Sequence, residues 1–78
     1  MKVKPTQRGF LRGEWIDRYE TRCSVQESSL ATEPCIWLGV DDKRMHLTVD
    51  MVSALLPQLQ HFTDTGRLKA AQTERDGE

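Results

Sequence analysis

The fold of this 78-residue chain is decided by residues 47–66, which are LTVDMVSALLPQLQHFTDTG. Apolar side chains recur there at the spacing of one helical face; they are Val52, Leu55, Leu56, Leu59 and Phe62. The hydroxyl of Thr48 can accept a hydrogen bond from the first turn, and Gly66 can adopt the left-handed conformation that ends a helix. The stretch therefore predicts an amphipathic helix that is capped at both ends.

Pro57 interrupts this predicted helix. An interior proline removes one backbone hydrogen bond and costs about 3 kcal/mol where nothing compensates. The apolar stripe nevertheless continues through Pro57, which leaves two alternatives: one kinked helix, or two short helices with Pro57 in the first turn of the second.

The residues after the amino-terminal segment alternate between outward and inward positions. The inward set is Trp15, Tyr19, Cys23 and Val25. This period of two is typical of a half-buried antiparallel strand. Asp17 is out of phase, so either one long strand carries an inward carboxylate or a hairpin at 19–21 divides it. Because strands of about five or six residues are common, we favour two strands, at 14–19 and 21–27.

The next segments complete a small α+β domain. Residues 28–34 predict a loop, because they are rich in hydroxyl side chains and end in proline. Residues 35–40, CIWLGV, predict a central strand, and residues 45–47 a short last strand that leads directly into the helix. The predicted fold is a three- to four-stranded antiparallel meander with one carboxyl-terminal, Pro-kinked helix packed on one face.

The distribution of charged and apolar residues predicts three segments. Residues 1–9 form a basic arm that we expect to be flexible, residues 10–66 the single domain, and residues 67–78 a polar tail that we expect to be disordered. Residues 1–13 carry four basic and no acidic side chains, whereas residues 14–34 carry five acidic and two basic ones. Four basic charges are too few for an interaction tail, so nucleic-acid binding is not expected.

The size of the chain and its cysteines bear on the expected oligomeric state and cellular compartment. A domain this small buries only about 60% of its unfolded surface, so its core is marginal and a homo-oligomer is expected. The polar amino terminus lacks an export signal, which predicts a cytoplasmic protein whose Cys23 and Cys35 are reduced thiols. No stretch approaches the roughly 18 apolar residues of a membrane span.

The sequence contains no signature of catalysis. Cys23, Cys35, His46 and His61 lack the paired spacing of a metal site, so no metal is expected. A Cys23 nucleophile with His46 as base and Asp17 as orienting group is chemically conceivable, but no motif accompanies it. Glycine-rich phosphate loops and nucleophile elbows are absent from the sequence. We therefore expect neither catalytic residues nor a cofactor.

A polar cluster near the predicted strands favours binding instead. Hydroxyl, amide and guanidinium groups are suitable donors for an anionic or polar ligand. His46 joins them if Met45 and Leu47 face the core. The candidate ligand contacts are Arg18, Arg22, Ser24, Gln26, Ser28, Ser29 and His46.

Several segments occur in an order that resembles a family of small uncharacterised proteins from phages, prophages and bacteria. These segments are WIDRY at 15–19, CSVQESSLA at 23–31, IWLG at 36–39, RMHLT at 44–48, LLP at 55–57 and FTDTG at 62–66. The resemblance implies a role in countering host defence or redirecting host machinery.

The resulting hypothesis is a non-enzymatic phage-type protein in the host cytoplasm that sequesters a phosphate-bearing signal molecule, such as a nucleotide. One alternative is an inhibitor that binds a host defence complex through Trp15 or Trp37 and the acidic segment 14–34. Another is an accessory protein that contacts nucleic acid through its basic arm.

Overall fold

The computed structural model describes residues 1–71, which form one antiparallel sheet followed by one helix. The elements are β1 (Val3–Pro5), β2 (Leu11–Ile16), β3 (Arg22–Glu27), β4 (Cys35–Val40), β5 (Met45–Thr48) and α1 (Val49–Thr65). The strands lie side by side in chain order, each antiparallel to its neighbour. The predicted α+β meander with a carboxyl-terminal helix is confirmed, and its sheet has five strands.

The additional strand comes from residues 1–9, which were predicted to be a flexible arm. β1 pairs with β2, so that Val3 lies opposite Gly13 and Lys4 opposite Arg12. Because the sequence of this segment is mostly polar, no strand was predicted there. Pro5 is compatible with a strand at the edge of a sheet. The basic arm is therefore part of the domain.

Asp17 forms the turn between β2 and β3. Its Oδ1 atom accepts hydrogen bonds from the backbone N–H groups of Tyr19 at 2.8 Å and Thr21 at 2.9 Å. Glu20 adopts a left-handed conformation with φ 65°. The favoured division into two strands is therefore confirmed, but the first strand spans 11–16 rather than 14–19. Tyr19 was wrongly placed on the inward face: it lies in the turn and is 86% exposed.

The helix begins and ends as its sequence predicts. Thr48 Oγ1 accepts from the N–H of Met51 at 3.2 Å. Gly66 has φ 79°, and its N–H donates to the carbonyl of Phe62 at 2.7 Å. Of the two alternatives for Pro57, a single helix is observed, because α1 runs from Val49 to Thr65 with Pro57 inside it.

The position of the helix differs from the prediction that it packs on one face of the sheet. α1 contacts the sheet mainly through β5. Leu56, Leu59 and Phe62 are 58%, 48% and 53% exposed, respectively. The cause is local: β5 ends at Thr48 and α1 begins at Val49, so no loop residues exist to turn the helix back onto the sheet.

One face of the sheet is apolar, because successive strand residues point to opposite sides. We call it the apolar face; Glu27 also lies on it, and its main hydrophobic side chains are Val3, Leu11, Trp15, Cys23, Val25, Ile36, Leu38, Val40, Met45 and Leu47. Within residues 1–71, Cys23 at 6% exposure is the one buried hydrophobic side chain. The chain thus has almost no core of its own.

The polar tail predicted for residues 67–78 is described only in part. Its first residues are irregular, and the side chain of Gln58 holds Lys69 by two hydrogen bonds of 3.0 and 2.8 Å to its backbone. The prediction of disorder for 72–78 lies outside the described residues. Within the described part of the chain, no helix has the length and apolar character needed to cross a membrane.

Candidate ligand-binding face

The side of the sheet opposite the apolar face carries most of its polar side chains. The register aligns Arg12 with Gln26, Gln26 with Trp37, and Trp37 with His46, in one row across β2, β3, β4 and β5. We call this side the polar face; its main side chains are Arg12, Glu14, Arg22, Ser24, Gln26, Trp37 and His46. This face combines aromatic, cationic and amide side chains.

An aromatic pair lies at one end of this row. The rings of Trp37 and His46 are stacked, with centroids 4.0 Å apart and planes inclined by 14°. The guanidinium carbon of Arg44 lies 5.5 Å from the centre of the Trp37 ring, within the range of a cation–π interaction. His46 Nε2 lies 2.9 Å from Ser28 Oγ. The histidine ring is thereby held by stacking on one face and by a hydrogen bond at its edge.

Two arginines converge on one amide oxygen in the middle of the row. Gln26 Oε1 accepts from Arg12 Nη1 at 2.8 Å and from Arg44 Nη1 at 3.1 Å. Since both guanidinium groups are positively charged, this arrangement holds like charges close together on a neutral acceptor. The centre of the polar face is therefore suited to an anion.

The two arginines differ in how far their charge is neutralised. Arg12 forms ion pairs with Glu14 at 2.9 Å and Asp41 at 3.0 Å. The hydrogen bond to Glu14, and then Asp41, raises the pKa of Arg12 above its ordinary value. Neither ion pair found within residues 1–71 involves Arg44. Arg44 is thus the guanidinium group with more charge available to a ligand.

Ser24 serves the structure rather than a ligand. It is fully buried, and its Oγ donates to Asp41 Oδ1 at 2.9 Å. This hydrogen bond, together with the neighbouring Arg12, lowers the pKa of Asp41 below its ordinary value. A hydroxyl that is buried and already paired is not accessible to a ligand, which removes Ser24 from the set of candidate contacts.

The remaining sequence candidates are distributed unevenly. Gln26, Ser28 and His46 are brought together at the aromatic end of the polar face. Arg22 lies on this face at the far end of β3, where its charge helps to lower the pKa of Asp41. Two candidates lie away from this cluster: Arg18 in the turn before β3 and Ser29 in the loop after it.

Three important residues of the cluster were not among the sequence candidates. Arg12 was counted only among the basic charges of residues 1–13, Arg44 appeared only within the segment 44–48, and Trp37 was considered as an interface residue. In the structure all three meet around Gln26 and His46. For Trp37 the available signal was strand geometry: successive side chains of a strand point to opposite faces, so Trp37 lies on the side opposite Ile36 and Leu38.

Cys23 and His46 do not form the nucleophile and base pair considered from the sequence. Cys23 belongs to the apolar face and His46 to the polar face, so a nucleophile and base pair is excluded for these two residues. Burial raises the pKa of the Cys23 thiol, and burial also raises that of Cys35. Within residues 1–71, no group of three or more histidine, cysteine or acidic side chains is placed to hold a metal ion.

A second basic area adjoins the polar face at its outer edge. Lys2, Lys4 and Arg12 line an open depression of about 460 Å³ together with Thr6 and Glu14. Its openness to solvent distinguishes it from an enclosed small-molecule pocket. It extends the positive charge of the polar face towards β1.

Comparison with known proteins gives no match: neither a family model, nor a curated protein, nor a solved structure is significantly similar to this chain.

Proposed function

We propose that this chain is a non-enzymatic binding protein whose polar face holds a phosphate-bearing ligand that also contains a planar ring, as a nucleotide does. In the phage setting implied by its sequence resemblance, such a protein sequesters a host signal molecule. The observation that supports the proposal is the convergence of Arg12 and Arg44 on Gln26, beside the stacked rings of Trp37 and His46.

The chemistry of the cluster fits both parts of such a ligand. A guanidinium group binds phosphate through charge-assisted hydrogen bonds, and Arg44 has charge available for this purpose. Aromatic rings bind nucleobases by stacking, at about 1–3 kcal/mol per base. Ser28, Gln26 and His46 add polar contacts that can orient the ligand. Because the polar face is open, it can accommodate a ligand larger than one nucleotide.

Calorimetric titration with mononucleotides, dinucleotides and cyclic oligonucleotides tests this proposal. We expect at least one of these compounds to bind, and we expect Arg44→Ala and His46→Ala each to weaken binding about tenfold or more. Arg67→Ala and His61→Ala are matched controls, because His61 lies in the second half of α1 and Arg67 after it, and neither belongs to the strands that form the polar face. Their affinity should equal that of the wild type.

Two results would overturn the proposal. The first is the absence of heat with every compound of the panel for a protein shown to be folded by circular dichroism. The second is binding that Arg44→Ala and His46→Ala leave unchanged, since the ligand would then use another surface. Variation of the salt concentration gives a further check: a phosphate contact requires affinity to fall as salt rises.

A further inference from the structure

Two apolar surfaces of this chain have no partner within residues 1–71. One is the apolar face of the sheet, where Val3, Leu11 and Met45 are 53%, 42% and 52% exposed. The other is the helix stripe, formed by Val52, Leu55, Leu56, Leu59 and Phe62. Exposed apolar patches of this kind mark interaction sites in proteins that are stably folded. Each surface is of the kind that normally covers the other.

The exposed area is larger than expected for a folded chain of this size. A chain of 9.0 kDa is expected to expose about 4,900 Å². This chain exposes 6447 Å², an excess of about 1,500 Å² over that expectation. The excess is an upper value, because the total includes residues 72–78, which lie outside the described residues. Two copies that cover this excess would bury up to about 3,000 Å² in total, which is within the range of stable dimers.

The geometry prevents the helix from covering its own sheet but allows it to cover another. No residue separates β5 from α1, so the chain cannot reverse direction at Thr48. A helix of 17 residues is about 26 Å long, and the axes of a five-stranded sheet span about 19 Å. One helix is therefore long enough to cross the whole apolar face.

An apolar groove marks the place where the two surfaces join. Ile36 and Leu47 of the sheet and Val52 of the helix line this groove, which has a volume of about 320 Å³. The groove makes the helix stripe and the apolar face continuous. A single partner can therefore cover both surfaces in one contact.

We propose that the partner is a second copy of this chain, and that α1 of each copy lies across the apolar face of the other. A second copy supplies both missing halves at once, because each chain carries one helix stripe and one apolar face. A two-fold axis closes such an exchange, which leaves neither surface exposed and stops further growth. The proposal is independent of any ligand on the polar face.

The first test is the mass of the full chain, measured by light scattering over a range of concentrations. We expect twice the mass of the 9.0 kDa chain. Leu59→Asp places a charge in the middle of the helix stripe and should shift the mass to that of one chain or abolish folding. The matched control is Ala54→Asp, because Ala54 lies on the opposite side of the helix and should leave the dimer intact.

A second variant keeps the proposal testable if Leu59→Asp does not fold. Insertion of about eight glycine and serine residues between Thr48 and Val49 supplies the missing loop. The helix can then reach its own sheet, so we expect a folded protein with the mass of one chain.

Three outcomes would overturn the proposal. One is a wild-type chain that is folded and monomeric at every concentration. The proposal would equally fail if such a monomer bound lipid vesicles through its apolar surfaces. The others are a Leu59→Asp variant that still forms the wild-type dimer, and an insertion variant that remains dimeric.

Discussion

Replacement of Pro57 by alanine should stabilise the protein, because the proline lies inside α1 and contributes little by contact. Pro57 is exposed and has no N–H group to donate to the carbonyl of Ser53 one turn earlier. Proline is about 3 kcal/mol less favourable than alanine in the interior of a helix. Alanine also gives the unfolded chain more conformational freedom than proline does, which reduces this gain in stability by about 0.4–1 kcal/mol. The expected net gain in the free energy of unfolding is therefore about 2 kcal/mol.

Urea and thermal unfolding, followed by circular dichroism at one protein concentration, measure this gain. For a chain of this size, about 2 kcal/mol corresponds to a rise of about 8–16 °C in Tm. Ser53→Ala is the matched control, because it changes only helix propensity at an exposed neighbouring position and should contribute about 0.5 kcal/mol or less. A Pro57→Ala variant that gains no more than Ser53→Ala, or that is destabilised, would refute the reasoning. It would show that the helix depends on the distortion introduced by proline.

Further predictions concern the helix cap, a backbone conformation and a carboxylate. Thr48→Ala removes the acceptor for the N–H of Met51 and should cost about 1 kcal/mol, measured by urea unfolding, whereas Thr48→Ser should cost much less. Gly39→Ala should destabilise the protein by about 1–3 kcal/mol in the same assay, because Gly39 has φ 138°; an unchanged midpoint would contradict this strain. Asp41→Asn should destabilise the protein most above the ordinary carboxyl pKa of 3.8. Since the folded pKa is lower, the stability due to the wild-type carboxylate is lost as pH falls through that lower value, and a difference between wild type and variant that is independent of pH would contradict this origin.

The sequence indicates local structure well, because local structure depends on neighbouring residues. The caps at Thr48 and Gly66 follow from side-chain and backbone chemistry within one turn, and both are observed. Asp17 was recognised as out of phase, and its carboxylate indeed forms the turn that divides the two strands. The strand at 35–40 was also predicted with its observed bounds.

The arrangement of these elements was harder to predict, since it depends on register and on chain geometry. Arg12, Gln26, Trp37 and His46 form one row only because four strands pair in a particular register. Because every residue of β4 is apolar, its sequence does not show which of its side chains lie on the polar face, and the position of Trp37 was missed. The position of the helix was also missed, although the direct junction after residue 47 was visible and argues against a helix that folds back.

The direct junction between Thr48 and Val49 has a consequence for the abundance of the protein. In the proposed dimer with exchanged helices, each chain would complete its hydrophobic core only by meeting another, so folding would become a second-order process. Stability then rises by about 1.4 kcal/mol for every tenfold increase in concentration. Chains synthesised at a low rate remain exposed to cellular proteases, whereas chains above a threshold protect one another. The rate of synthesis would thus determine whether the protein accumulates at all.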